Sequence, residues 1–166
     1  MAKQISVNDY VEHINSTYPK AQYPQIGKIY TFGYLFHQSP SFDRKNVKEI
    51  KFYDFYPATF VFDVDVKQHL FHGFNLHIIP PSARSRWIEL INTFVTKDKL
   101  DPKKFIILKH LFKISSFAMR QYYMRRVKNF REVPVDKWHE MFNMYANTTF
   151  GATTAEISAK YLSFLE

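Results

Sequence analysis

Apolar residues recur at helical spacing near the start of the chain. Val7, Tyr10, Val11 and Ile14 predict a short helix that stops before Pro19, with Ser6 as its cap and Asp9 where a capping-box acid belongs. Pro19, Pro24 and Gly27 mark residues 19–27 as a connection. From Lys28 the period changes to two. Tyr30, Phe32, Tyr34 and Phe36 line one face of a predicted strand, and residues 37–47, which contain Pro40, read as a loop. Thr59 to Val66 alternates cleanly, with Phe60, Phe62, Val64 and Val66 on one side and Asp63 and Asp65 on the other. Leu70 to Ile79 alternates again through Leu70, His72, Phe74, Leu76 and Ile78, and the short gap at Lys67, Gln68 and His69 predicts a hairpin.

Pro80-Pro81 ends this β-rich section, and helical spacing returns. Ser82 caps a predicted helix carrying Ala83, Trp87, Leu90, Ile91 and Phe94. Asp101-Pro102 starts a second, with Phe105, Leu108, Leu111 and Phe112 inward. Ser115-Ser116 allows a break before a third, built on Phe117, Met119, Tyr122, Tyr123 and Val127. Asp136 caps another with Trp138, Phe142 and Tyr145, and Thr153 and Glu156 make a last capping box. The expected fold is therefore α+β: one domain over 1–166, with an N-terminal helix and connection (1–27), a small antiparallel sheet or partly closed barrel (28–79) and a helical C-terminal half (80–166).

Composition supports a folded chain. Aromatics make up 18% of 166 residues, including 17 Phe and 11 Tyr, which is ample apolar area to offset the entropy of ordering. The absence of cysteine excludes disulfides, thiolate metal sites and thiol nucleophiles. No apolar signal core follows Met1, and no apolar run has the length of a membrane span, so a soluble protein made in a cytoplasm is expected.

Charge alters the picture more sharply. The chain carries a net +8, yet nine basic residues (Lys103, Lys104, Lys109, Lys113, Arg120, Arg125, Arg126, Lys128 and Arg131) fall in one segment without an acidic residue. The remainder of the chain holds 14 basic and 15 acidic residues and is close to neutral. A concentrated one-sign segment attracts polyanions, and its helical spacing would place Lys109 with Lys113, and Arg125 with Lys128, on shared faces. Tyr122 and Tyr123 are interleaved and suited to stack on a base or sugar. Phosphate contact is one reading of this segment; a solvated face, or docking on an acidic protein neighbour, are the others.

Other constellations carry less. Asp65 and Lys67, with Asp54 upstream, have the residue types of a two-carboxylate, one-lysine nuclease site, but a hairpin turn explains the charges at least as well. His69, His72 and His77 beside Asp63 contain zinc-ligand chemistry, yet a regular strand would send His72 and His77 to opposite faces. Four scattered glycines cannot build a phosphate-binding loop. The expectation is a non-enzyme with neither metal nor cofactor. Tyr53, Phe55 and Tyr56 are the candidate surplus aromatics for a protein interface.

Separate blocks of sequence carry a resemblance. Gly27 to Phe32, Tyr53-Asp54-Phe55-Tyr56-Pro57, Gly73 to Arg84 with its Asn75-Leu76-His77-Ile78-Ile79-Pro80-Pro81 strand end, and Tyr122 to Trp138 with Pro134 together resemble a family of small proteins of large tailed bacteriophages. The resemblance spans roughly residues 27–155 and contains no catalytic motif. It implies a phage protein made in the host bacterial cytoplasm. Two roles are compatible with it. One is a non-catalytic virion component of neck, tail-completion or baseplate type, within an oligomeric assembly, whose basic face meets double-stranded DNA or other phage structural proteins. The other is a non-virion DNA-binding accessory protein of replication, packaging or host takeover.

Overall fold

The alternating segments do become strands, and a computed structural model describes them within residues 7–34, 56–78, 89 and 119–141. Helix α1 runs Val7–Thr17 and stops before Pro19 as the spacing predicts. Five strands follow: β1 Ile29–Tyr34, β2 Ala58–Asp65, β3 Leu70–Asn75, β4 Met119–Tyr123 and β5 Val127–Val133. They form one antiparallel sheet in the order β4-β3-β2-β1-β5, with the expected hairpin joining β2 to β3.

The two edge strands are neighbours in sequence. Only a three-residue 3-10 turn, Met124–Arg126, connects β4 to β5. Such a link spans no more than about 14 Å, whereas the edges of a flat five-stranded sheet lie about 19 Å apart. The sheet is therefore open in its hydrogen bonding but curled. Ring contacts agree: Phe32 on β1 meets Tyr122 on β4 at 5.1 Å although β2 and β3 lie between them in the order. The Tyr34 hydroxyl likewise accepts a hydrogen bond from the Tyr123 N–H at 3.2 Å.

The concave face holds an aromatic cluster of Tyr30, Phe32, Tyr34, Val61, Phe71, Tyr122 and Phe130. Tyr30 stacks on Phe130 at 4.4 Å, and Phe32 meets Phe71 edge-on at 5.6 Å. The opposite face of β1 is covered by α1, where the Tyr10 hydroxyl lies 3.2 Å from the Thr31 hydroxyl. Near it the buried Trp138 donates its indole N–H to the Val133 carbonyl at 3.0 Å. Apolar groups thus cover both faces, which is why β1 is buried along nearly all of its length.

Several expectations require correction. The predicted helix from Phe117 to Val127 is, over its described part, strand β4, a 3-10 turn and the start of β5, so the sheet extends well past residue 79. The apolar spacing fitted a helix, but pairing with the exposed edge of β3 settles the backbone, and Tyr122 then faces inward against Phe71. Among the described residues of the C-terminal half, 119–133 are thus strand and turn, whereas residues 89 and 138–141 are helical. The predicted helices at 82–94 and 101–113, and the segment after 141, lie outside the described residues apart from residue 89.

Strand β2 also departs from simple alternation. Its register shifts between Val61 and Asp63, inserting one residue. Phe60 and Phe62 stay on the outer face, where Phe62 meets Phe74 at 4.6 Å and His72 at 6.2 Å, while Val61 and Val64 turn to the concave cluster. Val66, expected inward, is exposed in the turn. Leu76 to Ile78 form a 3-10 turn and do not continue β3. Asp136 lies within the 3-10 turn Val135–Lys137, whose capping position is Pro134.

Candidate nucleic-acid interface

Because β4 and β5 meet at the Met124–Arg126 turn, the centre of the basic segment sits on a tight bend at the rim of the sheet. Both Arg125 and Arg126 direct their guanidinium carbons over the ring of Tyr123, each 5.3 Å from its centroid. Guanidinium groups are drawn to the negative face of an aromatic ring and remain charged at any pH a protein tolerates. Arg125 and Lys128 are exposed and Arg126 is half-buried. Among the described residues, no carboxylate forms an ion pair with any of these three.

Tyr123 is itself held from two sides. Its hydroxyl accepts from the Gln121 side-chain amide at 2.9 Å. Gln121 Oε1 lies 3.1 Å from Nε2 of His72, and Nδ1 of His72 lies 3.1 Å from the Asp63 carboxylate. A polar row thus crosses β2, β3 and β4 on the outer face and ends at the ring that both arginines approach. With its backbone N–H fixed on Tyr34, Tyr123 is a preorganised support.

Of the nine basic residues named from sequence, Arg120, Arg125, Arg126, Lys128 and Arg131 are described. Lys103, Lys104, Lys109 and Lys113 lie outside the described residues. Arg120 is half-buried, and its Nη1 donates to the Met119 carbonyl at 3.2 Å. Strand alternation places it on the side of Tyr122, opposite Tyr123. Arg131 is turned toward α1: its Nη1 donates to the Tyr18 carbonyl at 2.7 Å and its Nε to Asn129 Oδ1 at 2.9 Å. Arg125 and Arg126 are the cations of the turn, and Lys128 follows them at the start of β5. Arg125 and Lys128 do not share a helical face; one is in the 3-10 turn and the other in β5.

The remaining candidates are placed by local structure. Asp65 Oδ1 accepts the Gln68 N–H at 3.0 Å and so closes the hairpin turn, with Lys67 exposed beside it. Asp54 lies outside the described residues. His69 occupies the left-handed region (φ 52) in that turn, His72 pairs with Asp63 and Gln121, and His77 is buried beyond β3. His77 shares with Asn75 a turn in which the Asn75 side chain accepts the His77 N–H at 3.2 Å. Tyr56 is half-buried, its ring close enough that a methyl group on Gly33 would meet it at 3.5 Å. Tyr53 and Phe55 lie outside the described residues.

Sequence reading named Tyr123 as a stacking residue but not its supports. His72 and Gln121 are 49 positions apart, and only the β3–β4 pairing brings them together. No helix among the described residues is long and apolar enough to cross a membrane.

Fold and surface together define a small α+β protein with two arginines at an aromatic-backed turn on the sheet rim. The chain belongs to the family of the phage T4 terminal DNA protecting protein, whose family model matches residues 4–160. It is thus a bacteriophage protein, in line with the resemblance read from its sequence blocks. No curated protein and no solved structure matches it.

Proposed function

We propose that this chain is a non-catalytic, DNA-contacting phage protein that sits at the termini of the phage genome and shields them. The observation that carries the reading is the pair of guanidinium groups converging on Tyr123, with the exposed Lys128 two residues further on in β5. Arginines are well shaped to hold phosphate by paired hydrogen bonds, and a cationic rim supplies the salt-sensitive affinity that backbone contacts give. The family's name, a terminal DNA protecting protein, supports the ends of DNA as the place of binding. A protein that stays on the ends of a packaged genome travels with the particle. A virion location near the neck follows from this reading, and it is preferred here over a non-virion accessory role.

The test is digestion of a linear duplex by a purified exonuclease, with and without the protein. Slowed digestion that is lost when Arg125, Arg126 and Lys128 are all replaced by Glu supports the proposal. Equal digestion in every case, with no duplex binding at low salt, sinks it. The virion location is checked separately by mass spectrometry of purified particles, where absence of the chain overturns it.

A further inference from the structure

We infer that Arg125 and Arg126 form a clamp for a terminal phosphomonoester, so that the protein reads the phosphorylated end of a DNA strand and not the phosphodiester backbone alone. This rests on the DNA-terminus reading above and specifies which group at the terminus is recognised.

Two like charges on consecutive residues would ordinarily spread apart in solvent. Here both guanidinium carbons are held 5.3 Å from one ring centroid. The ring attracts each cation, but the two repel one another, and no carboxylate among the described residues relieves them by an ion pair. The nearest acid named on this face, Asp63, is already engaged by His72 at 3.1 Å. The arrangement favours an anion of high charge density between or beside the guanidiniums. Internal phosphodiesters carry a single negative charge, whereas a phosphate monoester carries about −1.5 to −2 at neutral pH and offers three acceptor oxygens. Two planar forks can engage such a group by several charge-assisted bonds at once.

The support beneath the cations is fixed in advance. Gln121 holds the Tyr123 hydroxyl at 2.9 Å, and the Tyr123 backbone N–H donates to Tyr34 at 3.2 Å. The short turn from β4 to β5 holds the two consecutive arginines between two paired strands. A clamp of this kind needs little ordering on binding, which preserves its selectivity.

The experiment measures the affinity of the full chain for short linear duplexes that differ only at their ends. The duplexes carry 5′-phosphate, 3′-phosphate or hydroxyl termini, and a hairpin-closed duplex without ends accompanies them. Phosphorylated termini are expected to bind about five-fold more tightly than hydroxyl termini, the scale of one further charge-assisted contact. The comparison of 5′- with 3′-phosphate shows which strand end is read. In Arg125→Gln, an exposed position whose change spares the core, this preference should shrink toward unity while some general duplex affinity persists. Equal affinity for phosphate and hydroxyl ends overturns the clamp but leaves the DNA reading standing. So does a preference unchanged in both Arg125→Gln and Arg126→Gln. Absence of binding to every duplex, closed or open, overturns both.

Discussion

Arg131 donates a 2.7 Å hydrogen bond from Nη1 to the main-chain carbonyl of Tyr18, tying strand β5 to the segment that follows α1. The tie is one of several at this seam. Ala21 N–H donates to the Phe130 carbonyl at 2.9 Å, and Glu132 N–H to the Pro19 carbonyl at 3.1 Å. Asn129, in the left-handed region at φ 52, accepts from Arg131 and donates to Asn15 at 2.7 Å. Arg131, named from sequence as a polyanion contact, thus also ties the scaffold together.

Arg131→Ala should therefore lower stability more than DNA affinity. Losing a charged donor to a partly buried carbonyl costs about 1–3 kcal/mol. Denaturant unfolding and duplex binding measured on the same variant check this. A large loss of affinity with unchanged stability would place Arg131 on the interface after all.

Arg125→Gln should behave in the opposite way. It leaves the concave core untouched, so unfolding should shift by less than about 0.5 kcal/mol. Removing one phosphate contact should reduce the slope of log affinity against log salt by about 0.9. A salt titration of variant and parent gives the comparison.

Gly73 has no room for a side chain. A methyl group there would approach the Thr59 Cγ2 to 2.0 Å and the Phe60 carbonyl oxygen to 2.8 Å, and the second of these is backbone. Gly73→Ala should force β2 and β3 apart and destabilise the sheet by about 1–3 kcal/mol. Thermal unfolding or soluble yield reports it. A variant as stable as the parent contradicts the packing described here.

Phe32 lies at the centre of the concave cluster, with ring contacts to Tyr34, Phe71, Tyr122 and Phe130. Phe32→Ala should cost about 3–5 kcal/mol by lost burial and residual cavity. Phe32→Leu, which fills more of the space, should cost less, and equilibrium unfolding distinguishes the two.

Alkali should unfold the protein through its buried phenols. Burial pushes the Tyr30 hydroxyl from the ordinary 10.0 up to about 12, against the opposing effect of the Gln25 N–H bonded to it. Tyr10 and Tyr18 are raised by burial as well. A folded-state pKa above the unfolded one means that the unfolded chain loses its proton first. The stabilising contribution is complete below about pH 10 and is lost as pH rises toward 12. Unfolding free energy followed from about pH 9 upward, with phenolate absorbance, should show tyrosine ionisation and unfolding together. Tyrosines that titrate near pH 10.0 in a folded protein contradict it.

Local pattern alone determined the first helix, the aromatic face of β1 and the β2–β3 hairpin. In each case the apolar period is unambiguous over the whole element, and Pro19 or the polar run at Lys67 to His69 sets its end. Pattern also located the excess charge, since charge is a property of composition, and it placed Tyr123, Arg125, Arg126 and Lys128 within the basic segment from Lys103 to Arg131. What it did not fix is the state of residues 119–133. Their spacing suits a helix, but the open edges of β3 and β1 offer backbone partners that no neighbouring residue in sequence reveals. The bulge at Val61 to Asp63 was hidden for the same reason, because register is decided by the partner strand. Separation of Arg131, bound to Tyr18, from Arg125 and Arg126, gathered over Tyr123, likewise required tertiary structure. Sequence specifies which charges are present; the curled sheet decides which of them turn inward as ties and which meet at the rim.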